Sequence, residues 1–489
     1  MAIELPETPA RVRIAPSPTG DPHVGTAYVA LFNKALALRT GGRFVLRIED
    51  TDRTRYQAGA EQQIADSLRW LGLSYDEGPD LGGPFAPYRQ SERTGFYRDA
   101  ADALIASGKA YRCFCTPERL KAMREEQLKA KQGASGYDGR CRRLPEEEVA
   151  ANVGQAIPCV IRLGTPDTGT TTFTDALRGE VSIANEQVDD QVLIKSDGFP
   201  TYHLANVVDD HNMGITHVIR AEEWISSTPK HVLLYEAFGW PVPVFVHMPL
   251  LRNNDKNKTK ISKRRNPVSL IWYRQEGFLP EALVNFLGLM GYSMPDEREV
   301  FGREEFYRDF DPKRLKTTGP VFDLQKLEWL NGEWIRKLSL TEFCQRIADH
   351  LGEPYAGNPE LMRQVAPLVQ GRIRKLNEWP KFADMFYGEL PPYDASLLTP
   401  KKIDRDRAKE ILSAMVDAMS SIEPFSAEAL EALGREHAQA AGIKIGPCFM
   451  VLRVATTGSK VSPPLFESME VLGREETLAR LRSARELLL

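Results

Sequence analysis

Apolar residues near the start of the chain follow first the period of a strand and then that of a helix. Residues 12–15 form a short apolar run that prolines interrupt, as at the end of a strand. From Thr26 to Arg39 the apolar residues recur at helical spacing, and Gly41-Gly42 predicts the end of this helix. The stretch from Arg43 to Ile48 alternates as a second strand. Strand, helix and strand in this order predict a βαβ unit and therefore a parallel sheet.

The pattern changes near residue 96 and changes again after residue 205. Between these points the helical and strand-like stretches are mixed, which predicts an α/β insertion between the two halves of the parallel sheet. The predicted elements of the insertion are helices at Phe96 to Ser107 and Pro117 to Lys131 and strands near Cys159 to Leu163 and Val192 to Lys195. Val218 to Arg220 and Val244 to His247 then predict returning strands of the parallel sheet.

From about Leu279 onward the apolar spacing is almost entirely helical. Pro280 to Met290 and Asp323 to Arg336 are examples, and Pro391 to Asp394 has the composition of a linker. The patterns together predict an α/β protein with an all-helical C-terminal region.

Length and charge narrow the class of protein. The chain has 489 residues, which is more than one hydrophobic core accommodates, so several domains are expected. It has no apolar run of about 18 residues, and residues 1–10 lack the basic and apolar segments of a secretory signal, so we expect a cytoplasmic enzyme. A net charge of −4 means that a nucleic acid would have to bind local basic patches. Such patches are Lys121 to Lys131, Arg140 to Arg143, Lys260 to Arg265, Lys313 to Lys316 and Arg372 to Lys375.

The first stretch that suggests chemistry runs from Arg13 to Thr26, where a strand, a proline-rich loop and a helix start follow one another. A helix N-terminus offers unpaired N–H groups and a positive dipole end to phosphate. Gly25 permits a nucleotide to approach the backbone, and His23 can donate a hydrogen bond to a phosphoryl oxygen. The alternative is a loop that merely caps an ordinary helix.

The second stretch, Lys260 to Arg265, places cationic side chains in a polar loop, which suits a departing pyrophosphate. In this order, the two stretches resemble the two signatures of class I aminoacyl-tRNA synthetases, in the form of the bacterial glutamyl-tRNA synthetase family. The class signature is His-x-Gly-His, and this sequence has Thr26 in place of the second histidine. Thr26 therefore offers only a hydroxyl group.

The resemblance implies a set of site residues. His23, Lys260 and Lys263 are the expected catalytic residues. The expected ATP site consists of His23, Gly25, Thr26, Glu223, Trp224, Leu251, Lys260, Lys263 and Arg264. The expected glutamate site consists of Arg13, Ala15, Ser17, Glu49, Tyr202, Asn206 and Arg220.

Charge suggests two specific roles within this set. We expect Glu49 to bind the substrate ammonium and Arg220 to bind the γ-carboxylate, because guanidinium pairs well with carboxylate. A buried arginine without its carboxylate partner is unfavourable, so glutamine would be rejected. Asp209, Asp210 and His211 suggest a metal site by composition, whereas the resemblance makes them the floor of the pocket.

The resemblance also implies an activity and a domain order. Glutamate would be activated with ATP and Mg²⁺ to glutamyl-adenylate and transferred to the 3′ end of tRNA(Glu). The implied fold is a Rossmann-like parallel-sheet catalytic domain with an α/β insertion, followed by an all-helical anticodon-binding region. The predicted segments are residues 1–95 and 206–252 for the two halves of the catalytic domain, 96–205 for the insertion that binds the tRNA acceptor end, 253–337 for a stem-contact domain and 338–489 for the anticodon-binding region.

Three clustered cysteines suggest a further site. Cys113, Cys115 and Cys141 have loop spacing typical of structural zinc, and Tyr137 keeps the Tyr-x-x-x-Cys spacing of zinc-containing relatives. Arg143, two positions beyond Cys141, cannot be a ligand. The alternative is a subdomain that holds no metal.

Several questions stay open at the level of sequence. An arginine in Gly371 to Lys375 could read anticodon bases, with Arg372 favoured and Arg374 as a second candidate; phosphate contact alone is nearly as good an explanation. We expect a monomer without a membrane partner. The alternatives are a glutaminyl-tRNA synthetase, a truncated glutamyl-queuosine enzyme, a form that also charges tRNA(Gln), and a non-catalytic RNA-binding paralogue. Arg220, the helical C-terminal half and intact His23, Lys260 and Lys263 argue against all of these except the form that also charges tRNA(Gln).

Overall fold

A computed structural model describes residues 4–52, 54–129, 136–261 and 267–488. The chain divides into two compact units, one of residues 1–272 with 283–323 and one of residues 273–282 with 324–489. The division into five segments predicted above stays a prediction. Over the described ranges, no helix combines the length and the apolar character that crossing a membrane requires.

Strands occur only in the first unit among the described residues. They are β1 (Arg11–Ile14), β2 (Arg43–Leu46), β3 (Ala110–Cys113), β4 (Val160–Leu163), β5 (Thr170–Asp175), β6 (Gly179–Ala184), β7 (Val192–Ile194), β8 (His217–Ala221), β9 (Val244–Met248), β10 (Arg252–Asn253) and β11 (Val321–Phe322). The predicted strands of the parallel sheet correspond to β1, β2, β8 and β9.

Helices account for most of the remaining regular structure. They are α1 (Val24–Arg39), α2 (Ala60–Trp70), α3 (Thr94–Ala106), α4 (Pro117–Lys129), α5 (Glu146–Gly154), α6 (Tyr202–Asn212), α7 (Thr228–Phe238), α8 (Leu270–Gln275), α9 (Pro280–Gly288), α10 (Arg303–Asp309), α11 (Leu324–Lys337), α12 (Leu340–Leu351), α13 (Pro359–Val369), α14 (Trp379–Tyr387), α15 (Arg405–Ser421), α16 (Ala427–Ala440), α17 (Ile445–Thr457) and α18 (Leu465–Glu486).

Parallel pairing builds the part of the first unit that carries the site. β1 pairs with β2, and β8 pairs with β9, both in parallel. The backbone N–H of Thr216 donates to the carbonyl oxygen of Arg11 at 2.9 Å, which links the start of β8 to β1. Because parallel strands end at the same edge, the residues after β1, β2 and β8 come together there. This arrangement confirms the predicted α/β class with a parallel sheet.

Helix α1 is apolar on nearly all sides, so it is buried against its neighbours rather than on one face. It begins two residues before the predicted start, because His23 caps its N-terminus. Thr40 follows its last residue, and Gly41 adopts a φ of +67° in the turn to β2.

The hairpin of β5 and β6 was not predicted from the hydrophobic pattern. Its first strand alternates exposed and buried residues, but most of them are threonines, which do not stand out as apolar. The hairpin lies within the predicted insertion, yet Asp175 at the end of β5 pairs in parallel with Phe245 of β9. The sheet order β6-β5-β9-β8 therefore places Asp175 beside β9 of the parallel sheet. The remaining insertion strands form a separate antiparallel sheet, β3-β4-β7.

In the second unit, every regular element that the structure describes longer than one short 3₁₀ turn is an α-helix, which confirms the predicted helical C-terminal half. One core cluster packs around Trp379 and Phe343, and another around Met415 and Leu481. The predicted linker at residues 391–394 has neither helix nor strand.

Candidate active site

A cavity of about 480 Å³ lies in the first unit, where β1, β2 and β8 end and α1 begins. Every residue of the predicted ATP and glutamate sites that the structure describes lines it. These residues are Arg13, Ala15, Ser17, His23, Gly25, Thr26, Glu49, Tyr202, Asn206, Arg220, Glu223, Trp224, Leu251 and Lys260. The predictions for Lys263 and Arg264 lie outside the described residues.

His23 occupies the cap position of helix α1, with extended backbone angles. Its Nδ1 atom accepts a hydrogen bond from the backbone N–H of Gly25 at 2.9 Å. In a neutral ring the proton is therefore on Nε2, the nitrogen that can donate to a ligand oxygen. A Cβ atom at Gly25 would lie 3.0 Å from His23 Nδ1, so glycine at this position leaves room for the ring.

A network of buried arginines and carboxylates lies beside the cavity and reaches it through Arg13, Asn206 and Glu49. Asp210 accepts from Arg13 Nε at 3.0 Å and from Arg47 Nη1 at 2.7 Å. Arg93 donates to Asp209 at 2.7 Å. Burial opposes ionisation of Asp210, but Arg13 and Arg47 hold its pKa below its ordinary value. Arginines already pair with both Asp209 and Asp210. The structure therefore favours a supporting role for these two carboxylates over the binding of a metal ion.

His211, the third residue of that candidate metal set, is not part of the network. Its ring stacks on Trp240 at a centroid distance of 3.8 Å. Because the His211 imidazole packs on Trp240, it does not converge with Asp209 and Asp210 as a set of metal ligands would.

Glu49 follows β2 and presents its carboxylate to the cavity. Arg47 Nη2 lies 3.4 Å from Glu49 Oε1. Burial raises the pKa of Glu49 to about 7, against the opposing effects of Arg47 and Arg13. A ligand cation beside this carboxylate would favour its ionised form.

Arg220 is buried at the end of β8, and four of its five N–H groups meet uncharged partners. Nε donates to His247 at 3.0 Å, and Nη2 donates to Thr228 Oγ1 at 2.8 Å. Nη1 lies 3.1 Å from His231 Nδ1 and 3.3 Å from the hydroxyl of Tyr202. Burial lowers the pKa of Arg220. Within the part of the chain that the structure describes, no carboxylate forms a salt bridge with this guanidinium.

The residues predicted to hold the nucleotide also line the cavity. Trp224 lies against the ring of Tyr202, with centroids 4.4 Å apart. Lys260 Nζ forms an ion pair with Glu223, and both side chains are about half exposed. An exposed pair of this kind is weak, so Lys260 can exchange Glu223 for a phosphate.

The three clustered cysteines converge as the spacing suggested. The ligand atoms of Cys113, Cys115 and Cys141 all lie within 4.8 Å of one another. The hydroxyl of Tyr137 is 3.4 Å from Cys113 Sγ and 3.3 Å from Cys115 Sγ. The sulfur atoms of Cys115 and Cys141 are 3.5 Å apart. Four ligands around zinc at about 2.3 Å would be roughly 3.8 Å apart, so the set has nearly the required size.

Comparison with protein families matches residues 9–329 to the catalytic domain of tRNA synthetases class I (E and Q) and residues 342–485 to an anticodon binding domain. A glutamate–tRNA ligase of Acidothermus cellulolyticus is 54% identical over 487 residues, which cover 97% of this chain and 95% of that protein. The glutamate–tRNA ligase of Thermus thermophilus is 52% identical, with 96% of this chain and 99% of that protein covered.

The chain belongs to the glutamate–tRNA ligase family.

Structural comparison agrees with this assignment. The crystal structure of a glutamate tRNA ligase from Elizabethkingia meningosepticum in complex with its amino acid has a TM-score of 0.88 and 34% identity. The match covers 98% of this chain and 100% of that one.

Arg372 and Arg374 lie in the region matched to the family's anticodon binding domain. Both are exposed, and Arg372 ends a short 3₁₀ helix. The backbone N–H of Arg374 donates to Glu378 at 2.8 Å, which fixes the loop between them.

Sequence reasoning missed the buried residues that contact and orient the predicted site residues. Arg47 was seen only as a strand residue, and His231, His247 and Thr228 were not singled out. One signal was available for His247: parallel register pairs it with Arg220 on the neighbouring strand. His231 and Thr228 come from helix α7, whose approach to β8 no local pattern reveals.

Proposed function

We propose that this chain joins glutamate to the 3′ end of tRNA(Glu) in two steps at the cavity described above. An oxygen of the glutamate α-carboxylate attacks the α-phosphorus of ATP, and the bond to the leaving pyrophosphate breaks. A ribose hydroxyl of the terminal tRNA adenosine then attacks the carbonyl of glutamyl-adenylate; AMP leaves, and the hydroxyl proton is released. The observation that carries the proposal is that His23 and Lys260 line the same cavity as Glu49 and Arg220.

The phosphate end of the cavity suits the first step. His23 Nε2 can donate to an oxygen of the α-phosphate as negative charge builds there. The N-terminus of α1 adds the positive end of its helix dipole, since Gly25 and Thr26 of its first turn line the cavity. Lys260, with Lys263 and Arg264 as further predicted contacts, would neutralise the departing pyrophosphate. The protein thus acts by positioning and charge stabilisation and forms no covalent intermediate of its own.

The other end of the cavity suits glutamate. Glu49 would bind the ammonium group and Arg220 the γ-carboxylate, with Arg13, Tyr202 and Asn206 completing the polar lining. The surroundings of Arg220 support this orientation. Among the described residues no carboxylate forms a salt bridge with its guanidinium, so the γ-carboxylate of glutamate would be its charged partner.

ATP would enter as its Mg²⁺ complex, with the metal held mainly by the phosphates. Asp209 and Asp210 are unsuited as magnesium ligands because arginines already occupy them. Trp224, Leu251 and Glu223 would contact the adenosine. Trp224 supplies an aromatic face and Leu251 an apolar one, which fit a purine base.

The tRNA would bind beyond the catalytic cavity. We propose that residues 96–205 contact the acceptor end and that residues 338–489 contact the anticodon. Arg372 and Arg374 are exposed cations in the second of these segments. An arginine can stack on a base and donate two parallel hydrogen bonds to its edge. The expectation of a cytoplasmic monomer stays a prediction.

We further propose that Cys113, Cys115, Tyr137 and Cys141 hold a structural zinc ion. The support is the convergence of three sulfur atoms and one hydroxyl at near-tetrahedral spacing. Zinc would tie strand β3 to the loop after α4. Elemental analysis of the purified protein should give one zinc per chain, and Cys141→Ser should lose it. A protein with no zinc and an unaltered melting temperature after chelation would contradict this site.

The activity is tested by incubating the protein with ATP, labelled glutamate or glutamine, and purified tRNA(Glu) or tRNA(Gln). We expect glutamate to be attached to tRNA(Glu) and glutamine to neither tRNA. Attachment of glutamate to tRNA(Gln) as well would identify the form that charges both. Charging with glutamine, or no charging at all, would contradict the proposal. A non-catalytic paralogue is distinguished by a melting temperature that ATP does not change.

A further inference from the structure

The guanidinium of Arg220 is held by a shell of side chains that carry no charge. Its hydrogen-bond partners are His247, His231, Thr228 and Tyr202. A guanidinium group can only donate, so each partner must accept. Four of its five N–H groups are engaged in this way, and none of the described residues accepts from the second N–H on Nη2.

His247 is fixed in one neutral form by its two neighbours. Its Nε2 accepts from Arg220, so its proton is on Nδ1, which donates to Asp175 Oδ2 at 2.6 Å. Asp175 is fully buried and also accepts the backbone N–H groups of Leu177, Arg178 and His247. These donors hold the Asp175 carboxylate in place, and Asp175 keeps the His247 ring in the orientation that receives Arg220.

His231 is fixed by its two neighbours in the other neutral tautomer, with the proton on Nε2. Its Nδ1 accepts from Arg220, so its Nε2 carries the proton, which points to His203 Nδ1 at 3.0 Å. His231 and His247 are both fully buried. Protonation of either ring would place a second cation in contact with Arg220, so both rings stay neutral.

Two buried carboxylates, Asp210 and Asp175, form no direct salt bridge with Arg220. Asp210 is occupied by Arg13 and Arg47. Asp175 reaches Arg220 only through the His247 ring. Arg220 is thus anchored on its protein side and still keeps its charge, which a directly paired carboxylate would have neutralised.

We propose that His231 and His247 are positioning residues that set the preference for glutamate over glutamine, because they orient Arg220 with uncharged acceptors and leave its charge for the γ-carboxylate. This inference rests on the proposed function of the cavity. Glutamine has the shape of glutamate but no charge, so it would leave Arg220 buried and uncompensated. An acidic residue in place of either histidine would satisfy Arg220 internally and remove the advantage of glutamate.

The test compares His231→Asn with His231→Asp. The two side chains have the same shape, and each places an oxygen near the position of the histidine Nδ1. Only the aspartate carries a charge that pairs with Arg220. Both lose the contact with His203, so that loss affects the two variants equally.

In the aminoacylation assay with tRNA(Glu), we expect His231→Asn to keep kcat/KM for glutamate within about fivefold of the unaltered chain. His231→Asp should lower it by about 100-fold, mainly through the KM for glutamate, and should lower the glutamate-to-glutamine ratio by a similar factor. The KM for ATP should change in neither variant. Melting temperatures measured alongside identify a variant that fails to fold.

Thr228→Asn and Thr228→Asp form a second pair of equal shape, at a residue that accepts from the other terminal nitrogen of Arg220. The aspartate variant should again lose the preference for glutamate. Equal glutamate-to-glutamine ratios in the Asn and Asp variants at both positions would overturn this inference alone. An unaltered chain that charges no glutamate would overturn the proposed function as well, which separates the two failures.

Discussion

Glu49 Oε1 lies 3.4 Å from Nη2 of the fully buried Arg47. Despite this neighbouring cation, burial raises the pKa of Glu49 to about 7. The cation beside it is shared with Asp209 and Asp210, both of which are also buried. The arginine therefore does not fully offset the loss of water around Glu49. The carboxylate remains poised to take a second cation, the role we propose for the substrate ammonium.

A pH dependence of glutamate binding follows from this pKa. Because the pKa of Glu49 is raised, the ionised form that binds ammonium is lost as the pH falls through about 7. We expect kcat/KM for glutamate, which reports on the free enzyme, to fall up to about tenfold per pH unit below that value. Glu49→Gln should be poor at every pH and show no such fall. A similar fall in kcat/KM for glutamate in Glu49→Gln would assign it to another group.

Removal of Arg220 should affect glutamate more than ATP. Arg220→Ala removes the only proposed partner of the γ-carboxylate and leaves that charge in a buried site. We expect a loss of roughly 3–5 kcal/mol in kcat/KM for glutamate, with the KM for ATP nearly unchanged. Steady-state kinetics with each substrate varied in turn measure both. An unchanged kcat/KM for glutamate would remove Arg220 from the site.

The parallel sheet and the helical half could be predicted because their signals are local. Strands β1 and β2 and helix α1 show clear periods, and the helical spacing after residue 279 is regular. Strand β5 could not be predicted in this way, since its buried face is made of Thr171, Phe173 and Asp175. Its place beside β9 is decided by tertiary pairing, to which a local pattern does not extend.

The cavity residues were predictable for a different reason. They lie in signatures that the resemblance identified, such as the loop before α1 and the end of β8. The residues that orient them carry no signature of their own. Arg47 directly follows apolar Leu46 at the end of β2, and His231 lies within helix α7. Neither position stands out in the sequence, so only the three-dimensional packing reveals what each residue contacts.

Gly25→Ala should impair activation by displacing His23. The new Cβ would lie 3.0 Å from His23 Nδ1, a contact that the ring must relieve by moving a few tenths of an ångström. Because transition-state hydrogen bonds depend on position, we expect kcat for adenylate formation to fall about tenfold. Pyrophosphate exchange measures this step. Gly95→Ala is the matched control, since Gly95 is likewise the second residue of a helix and has no neighbour near the added atom. A normal rate for Gly25→Ala would show that the His23 ring tolerates the added methyl group.

Arg47→Met should destabilise the first unit, because Arg47 is the cation that Asp210, Asp209 and Glu49 share. Breaking a buried ion pair from one side leaves uncompensated charge, at a cost of roughly 3–5 kcal/mol in the free energy of unfolding. In this variant Asp210 still pairs with Arg13, and Asp209 still pairs with Arg93. We therefore expect a loss of stability at the lower end of this range. Glu49 keeps only the charge of Arg13 near it, and its pKa should rise further. Urea unfolding followed by hydrogen exchange on peptides of the first unit measures the loss. Arg69→Met, which breaks exposed pairs with Asp66 and Asp80, should change the same quantity by less than about 1 kcal/mol. If both variants proved equally stable, the buried arginine would be shown to contribute to the shape of the site and not to the stability of the fold.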